Sequence, residues 1–203
     1  MTRRHLFGFF TGLLLLLLAA CAPEHQGESS RVLVSTDWLA EHLDEPALVL
    51  LHVGTEEVYD SIHIPGARLV DPWEFTITTD SLRNEVPDMA ILDSLLTTVG
   101  IGADSRILLY YEDEDLVSRT ARVFVTLDYL GLGRRTSVLN GGLTAWTEEE
   151  RIITDEKPKA TYGILQLEGN EDVIARAFDL DRYRTDPGYV IGDTRSFEEF
   201  FGE

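Results

Sequence analysis

The chain has a single cysteine, Cys21, in 203 residues. An internal disulfide is therefore excluded, and so is any cysteine cluster for zinc or iron–sulfur. Positive charge is also scarce. Lys and Arg number 17 against 36 Asp and Glu, for a formal net charge of −19. So acidic a chain is repelled by nucleic acid and by anionic lipid headgroups, and no nucleic-acid partner is expected. No glycine-rich phosphate loop and no nucleophile elbow occurs. The run Glu112, Asp113, Glu114, Asp115 lacks the spaced ligands and central glycine of a calcium loop. No metal and no cofactor are expected.

A spanning helix is missing as well. The leucine-rich stretch Leu6–Leu18, with six consecutive leucines, falls short of the ~20 apolar residues that crossing a bilayer needs. It follows the basic pair Arg3 and Arg4 and runs into Leu18-Ala19-Ala20-Cys21, which has the layout of a signal peptide ending in a small-residue cleavage site. The stretch resembles a bacterial lipobox, in which the cysteine becomes the lipidated first residue. The other reading is an uncleaved short anchor. Lipidation uses the lone cysteine and leaves the mature domain without a thiolate nucleophile. Two or more acyl chains anchor stably where one does not. Removing Arg3 and Arg4 takes the net charge to −21. Residues 1–20 are thus expected to be a signal peptide and 21–31 a polar tether. The expected location is the cell envelope, lipid-anchored at Cys21, at the outer membrane or the periplasmic face if the host is diderm.

Beyond the tether the pattern alternates. The stretch Val34–Leu43 offers Ser35 or Thr36 as a helix cap and Trp38, Leu39 and Leu43 as an apolar face. Ala47–Val53 is a continuous apolar run of strand length, as is Arg106–Tyr111. Helical spacing appears over Ile91–Val99 and again over Ser118–Gly131, where Ala121, Phe124, Val125, Leu127 and Leu130 are expected inward. Ser137–Leu139 reads as a short strand and Asn140–Trp146 as a glycine turn into a helix. Strands alternating with helices predict an α/β fold with a central parallel sheet flanked by helices. In such folds ligands sit beyond the carboxyl ends of the strands, which is where Tyr111–Leu116 falls. From Arg151 the chain turns polar, with an expected short strand at Gly163–Leu167 and a short helix at Asp179–Tyr183. A strand pattern begins again at Tyr189–Gly192, followed by an acidic helical turn.

Four places in order carry a family resemblance: "VSTDWLAEHL", "HIPGA", "LNGGLTAW" and "VIGDTRSFEEFFGE". Together they resemble the rhodanese (thiosulfate sulfurtransferase) family in its tandem-domain form. The resemblance implies a rhodanese-like domain at 32–150, a linker at 151–187 and the truncated start of a second such domain at 188–203. The family moves sulfane sulfur from thiosulfate-like donors to thiol or cyanide acceptors, which would be the small-molecule partners. Its persulfide cysteine sits at the end of a central strand, with a loop of backbone N–H groups around the sulfur.

In this chain Tyr111 stands at that cysteine, followed by Glu112, Asp113, Glu114, Asp115 and Leu116. A tyrosine, with an ordinary pKa of about 10, cannot form a persulfide. One carboxylate at ~6 Å repels a unit anion by roughly 3 kcal/mol at an effective dielectric of 20. Several together outweigh the ~2 kcal/mol at most that a helix N-terminus offers. The family's Asp-x-Arg after the first long strand is His52-Val53-Gly54 here, Ile62 replaces a glycine before His63, and Asn140 replaces an aspartate. No catalytic residue is therefore expected in this chain, which corresponds to the first, cysteine-less domain of the tandem form. The nucleophile is expected after Glu203. The alternative is a lipoprotein whose domain has lost catalysis and serves as a scaffold or binding module. His52 is expected to be a satisfied core histidine and His63 a structural turn residue, with Arg119 and Arg122 pairing with the acidic loop or solvated.

Overall fold

The computed structural model describes residues 32–80, 83–159 and 161–202. The signal segment, the tether and Cys21 lie outside the described residues. Five parallel strands form one sheet: β1 (Leu33–Val34), β2 (Leu48–Val53), β3 (Arg68–Val70), β4 (Arg106–Tyr111) and β5 (Thr136–Leu139). Their order across the sheet is β1-β5-β4-β2-β3, which puts the two longest strands, β2 and β4, side by side in the middle. The helices are α1 (Thr36–His42), α2 (Glu56–Ser61), α3 (Met89–Thr98), α4 (Val117–Tyr129), α5 (Gly142–Glu148), α6 (Ala177–Tyr183) and α7 (Phe197–Phe201). The α/β architecture read from the sequence is the one the chain adopts.

The continuous apolar runs of β2 and β4 are explained by burial on both faces. Because side chains alternate along a strand, each run divides between two cores. Val49, Leu51, Val53, Ile107 and Leu109 join Leu92 and Leu96 of α3 and Val123 and Leu127 of α4. Leu50, Leu108 and Tyr110 join Leu39 of α1 and Leu143 and Trp146 of α5 on the opposite face. β1 and β3, of two and three residues, were not legible as strands; they are too short to show a period.

The buried stripe of α4 matches the expected one at Leu127 and Leu130, with Phe124 packed against the core, and differs at the remaining positions. Thr120, Val123, Thr126 and Leu127 are buried, while Ala121 and Val125 are exposed. Gly163–Leu167 is not a strand: its Gly163 N–H donates to Thr97 O at the end of α3, and Leu165 and Leu167 pack on the core of α3 and α4. Tyr189–Gly192 has the composition of a buried strand but is exposed and unpaired, since a strand needs a neighbour to bond.

Residues 151–159 and 161–170 run as a strap over the domain. Thr154 exchanges two backbone hydrogen bonds with His63, Arg68 donates to Thr161, and Asn170 N–H donates to Tyr129 O. No helix among the described residues is long and apolar enough to cross a membrane.

Candidate functional site

The carboxyl ends of β2 and β4 meet in register, His52 opposite Tyr110 and Val53 opposite Tyr111. Side-chain alternation then puts Tyr110 and Glu112 on the same face as His52. The sequence spacing alone makes the three neighbours once the strands pair. His52 and Tyr110 are fully buried, and the Glu112 side chain is only 6% exposed.

A chain of hydrogen bonds links them. The Ile64 N–H donates to the Tyr110 hydroxyl oxygen at 3.2 Å. The Tyr110 hydroxyl, 3.0 Å from His52 Nδ1, then directs its own proton to that nitrogen. The His52 proton is thereby left on Nε2, which donates to Glu112 Oε2 at 3.3 Å. The same carboxylate accepts the Thr55 N–H at 2.9 Å and the Thr55 hydroxyl at 3.2 Å. Thr55 is also the N-cap of α2. Glu112 thus ties the loop after β4 to the corner between β2 and α2.

Burial drives the chemistry of this group. Desolvation holds His52 below its usual pKa, against the opposing pull of the hydrogen bond and charge of Glu112. The imidazole is neutral at neutral pH as a result. Desolvation also pushes the Tyr110 phenol far up, so it acts only as a neutral donor and acceptor. Gly54 makes room for the contact. A Cβ there would meet the Glu112 carboxylate and would stand 2.6 Å from His52 Nε2.

The remaining loop residues are placed differently from one another. Asp113 accepts the Asp115 N–H at 2.9 Å and caps the 3-10 turn Glu114–Leu116 that leads into α4. Asp113, Glu114 and Asp115 are exposed, and Leu116 is half-buried. Tyr111 is half-buried at the end of β4, its ring and carbonyl against Gly142; a Cβ on Gly142 would lie 2.5 Å from the ring and 2.6 Å from the carbonyl oxygen. The acids do not converge, because Glu112 alone turns inward.

Arg119 and Arg122 are not partners of the acidic loop. The Arg119 guanidinium lies over the exposed Trp73 ring, 3.4 Å from its centroid. Arg122 donates to Asn84 O at 2.6 Å. A π face and a carbonyl oxygen can both hold a guanidinium without a carboxylate. His63 is structural, as expected. Its ring stacks on Tyr59, and its nitrogens lie 2.7 Å from Tyr59 O and 3.1 Å from Glu156 O. His52 is buried and satisfied, as expected, but its pairing with Glu112 went unread. The signal was the shared parity of residues 110 and 112 on a strand adjacent to β2.

Residues 35–149 match the family model described as the rhodanese-like domain. The chain belongs to the rhodanese family. Relatives include the sulfur carrier protein TtuD of Thermus thermophilus, 31% identical over 179 residues, covering 85% of this chain and 60% of that protein. The thiosulfate sulfurtransferase of Azotobacter vinelandii is 31% identical over 166 residues, covering 81% of this chain and 60% of that enzyme. The chain therefore spans about 60% of the length of these curated relatives. The crystal structure of SseA from Escherichia coli, a 3-mercaptopyruvate sulfotransferase by its description, superposes with a TM-score of 0.71 over 83% of this chain and 67% of that one. At 22% identity that likeness concerns the rhodanese fold alone.

Proposed function

We propose that this chain is the cysteine-less domain of a tandem rhodanese-family sulfurtransferase, held at the cell envelope through a lipid on Cys21 and unable to transfer sulfur by itself. The observation that carries the reading is the end of β4. A tyrosine stands at the strand terminus where the family chemistry needs a thiol, and the only cysteine in the sequence is Cys21, which precedes the domain. The loop that follows adds four carboxylates, one of them buried against His52. Persulfide chemistry needs a thiolate sulfur to attack the sulfane sulfur of the donor, and a phenol, which has no sulfur, cannot take that role. Sequence relatives named as thiosulfate sulfurtransferases support a sulfane-sulfur donor for the whole protein.

The test is thiocyanate formation from thiosulfate and cyanide by the purified chain. No turnover above the uncatalysed rate is expected, with thiosulfate or with 3-mercaptopyruvate as donor. Turnover lost on replacing Tyr111–Leu116 would overturn the reading. For the anchor, Cys21→Ala is expected to move the protein from the membrane fraction to the soluble one; unchanged fractionation would refute lipidation.

A further inference from the structure

The Glu112 carboxylate is buried without a cation. Among the described residues its hydrogen-bond partners are the Thr55 amide, the Thr55 hydroxyl and the imidazole N–H of His52. Desolvation keeps that imidazole neutral at neutral pH. A carboxylate held by an amide, a hydroxyl and a neutral imidazole, with no Lys or Arg, is solvated in the manner of a bound anion and not of an ion pair. The donors are themselves fixed. The Tyr110 hydroxyl orients His52, the N-cap geometry orients Thr55, and the missing side chain of Gly54 leaves the space between them.

We propose that the recess formed by His52, Gly54 and Thr55 is a receptor for a small carboxylate whose resident ligand is the chain's own Glu112, so that truncating Glu112 creates a site for an external monocarboxylate. α2 adds no amide of its own to this recess. The key donor is a fully buried side chain, His52, which without Glu112 has an unpaired N–H inside the protein. That unsatisfied donor is what an incoming carboxylate relieves. The inference does not depend on whether the chain transfers sulfur; it concerns a recess on the β2 side of the loop.

Size selects the probe. Glu112→Ala removes the Cγ and the carboxyl group but keeps Cβ. A free carboxylate must then stand at van der Waals distance from that Cβ, which suits formate and crowds a larger acid. The experiment is thermal unfolding of the E112A chain at neutral pH during a titration with sodium formate, against sodium chloride at matched ionic strength. Formate is expected to raise the midpoint saturably by about 2 °C or more over chloride. The wild-type chain should respond equally to both salts, because its recess is filled. The double variant E112A/H52F should lose the formate response, and in the single variant formate should shift the His52 Nε2–H resonance.

A formate response no greater than that to chloride in E112A would overturn the proposal, as would an equal formate response in the wild type. Retention of the response in E112A/H52F would do the same. If E112A is unfolded without formate, formate-dependent folding supports the site, and failure of saturating formate to restore folding overturns it.

Discussion

Glu112 Oε2 lies 3.3 Å from His52 Nε2, across 60 positions of sequence, in the interior of the sheet's carboxyl-terminal edge. The contact converts the loop after β4 from a projecting acidic turn into a segment anchored at one end. Two further donors, the amide and the hydroxyl of Thr55, and the Tyr110 hydroxyl relay depend on the same two residues, so perturbing any of them should be felt at the loop.

Gly54 is the most exacting position. A methyl group there meets the Glu112 carboxylate and the His52 ring, both enclosed. Gly54→Ala is expected to cost about 1–3 kcal/mol by overpacking and by displacing the buried carboxylate. Urea unfolding measures it. A change below ~0.5 kcal/mol would mean that the recess yields freely.

The Tyr110 hydroxyl has two jobs, accepting the Ile64 N–H and donating to His52. Tyr110→Phe leaves a buried amide and a ring nitrogen without partners, at an expected cost of about 1–3 kcal/mol. Tyr59→Phe removes one bond, from that hydroxyl to Ala67 O at 2.8 Å, and should cost less. Equal costs in matched urea titrations would contradict the relay.

Burial lowers the His52 pKa from an ordinary value of 6.5. Below that value the unfolded chain binds a proton at His52 that the folded protein resists. The contribution of this group is therefore constant above about pH 6.5 and is lost progressively as the pH falls toward the folded-state value. Unfolding midpoints measured downward from neutral pH should fall, and His52→Gln should flatten that slope. An identical slope in the variant would assign the acid lability to other groups.

The strap belongs to the folding unit although it lies beyond residue 149. It holds His63 through two backbone bonds to Thr154 and covers the core with Leu165 and Leu167. A chain cut after residue 150 should be less stable than one cut after residue 170 by at least about 2 kcal/mol, from lost apolar burial and unpaired backbone groups. Equal unfolding midpoints for the two truncations would make the strap dispensable.

The amino-acid sequence by itself determined the architecture. Two long apolar runs, Leu48–Val53 and Arg106–Tyr111, can be buried only as central strands, and the helical spacing between them supplies the covering layers. It also determined that β4 ends in a tyrosine, Tyr111, and not in a thiol. Only the tertiary structure decided how the acidic loop is used. Local sequence treats Glu112 and its three successors alike, as solvated carboxylates. The pairing of β2 with β4 brings His52, Thr55 and the space over Gly54 beside one of them, and buries it. The same holds for Tyr189–Gly192 and Gly163–Leu167, whose strand-like composition was not enough. A strand is completed by its neighbours' hydrogen bonds, and those are a property of the fold and not of the segment.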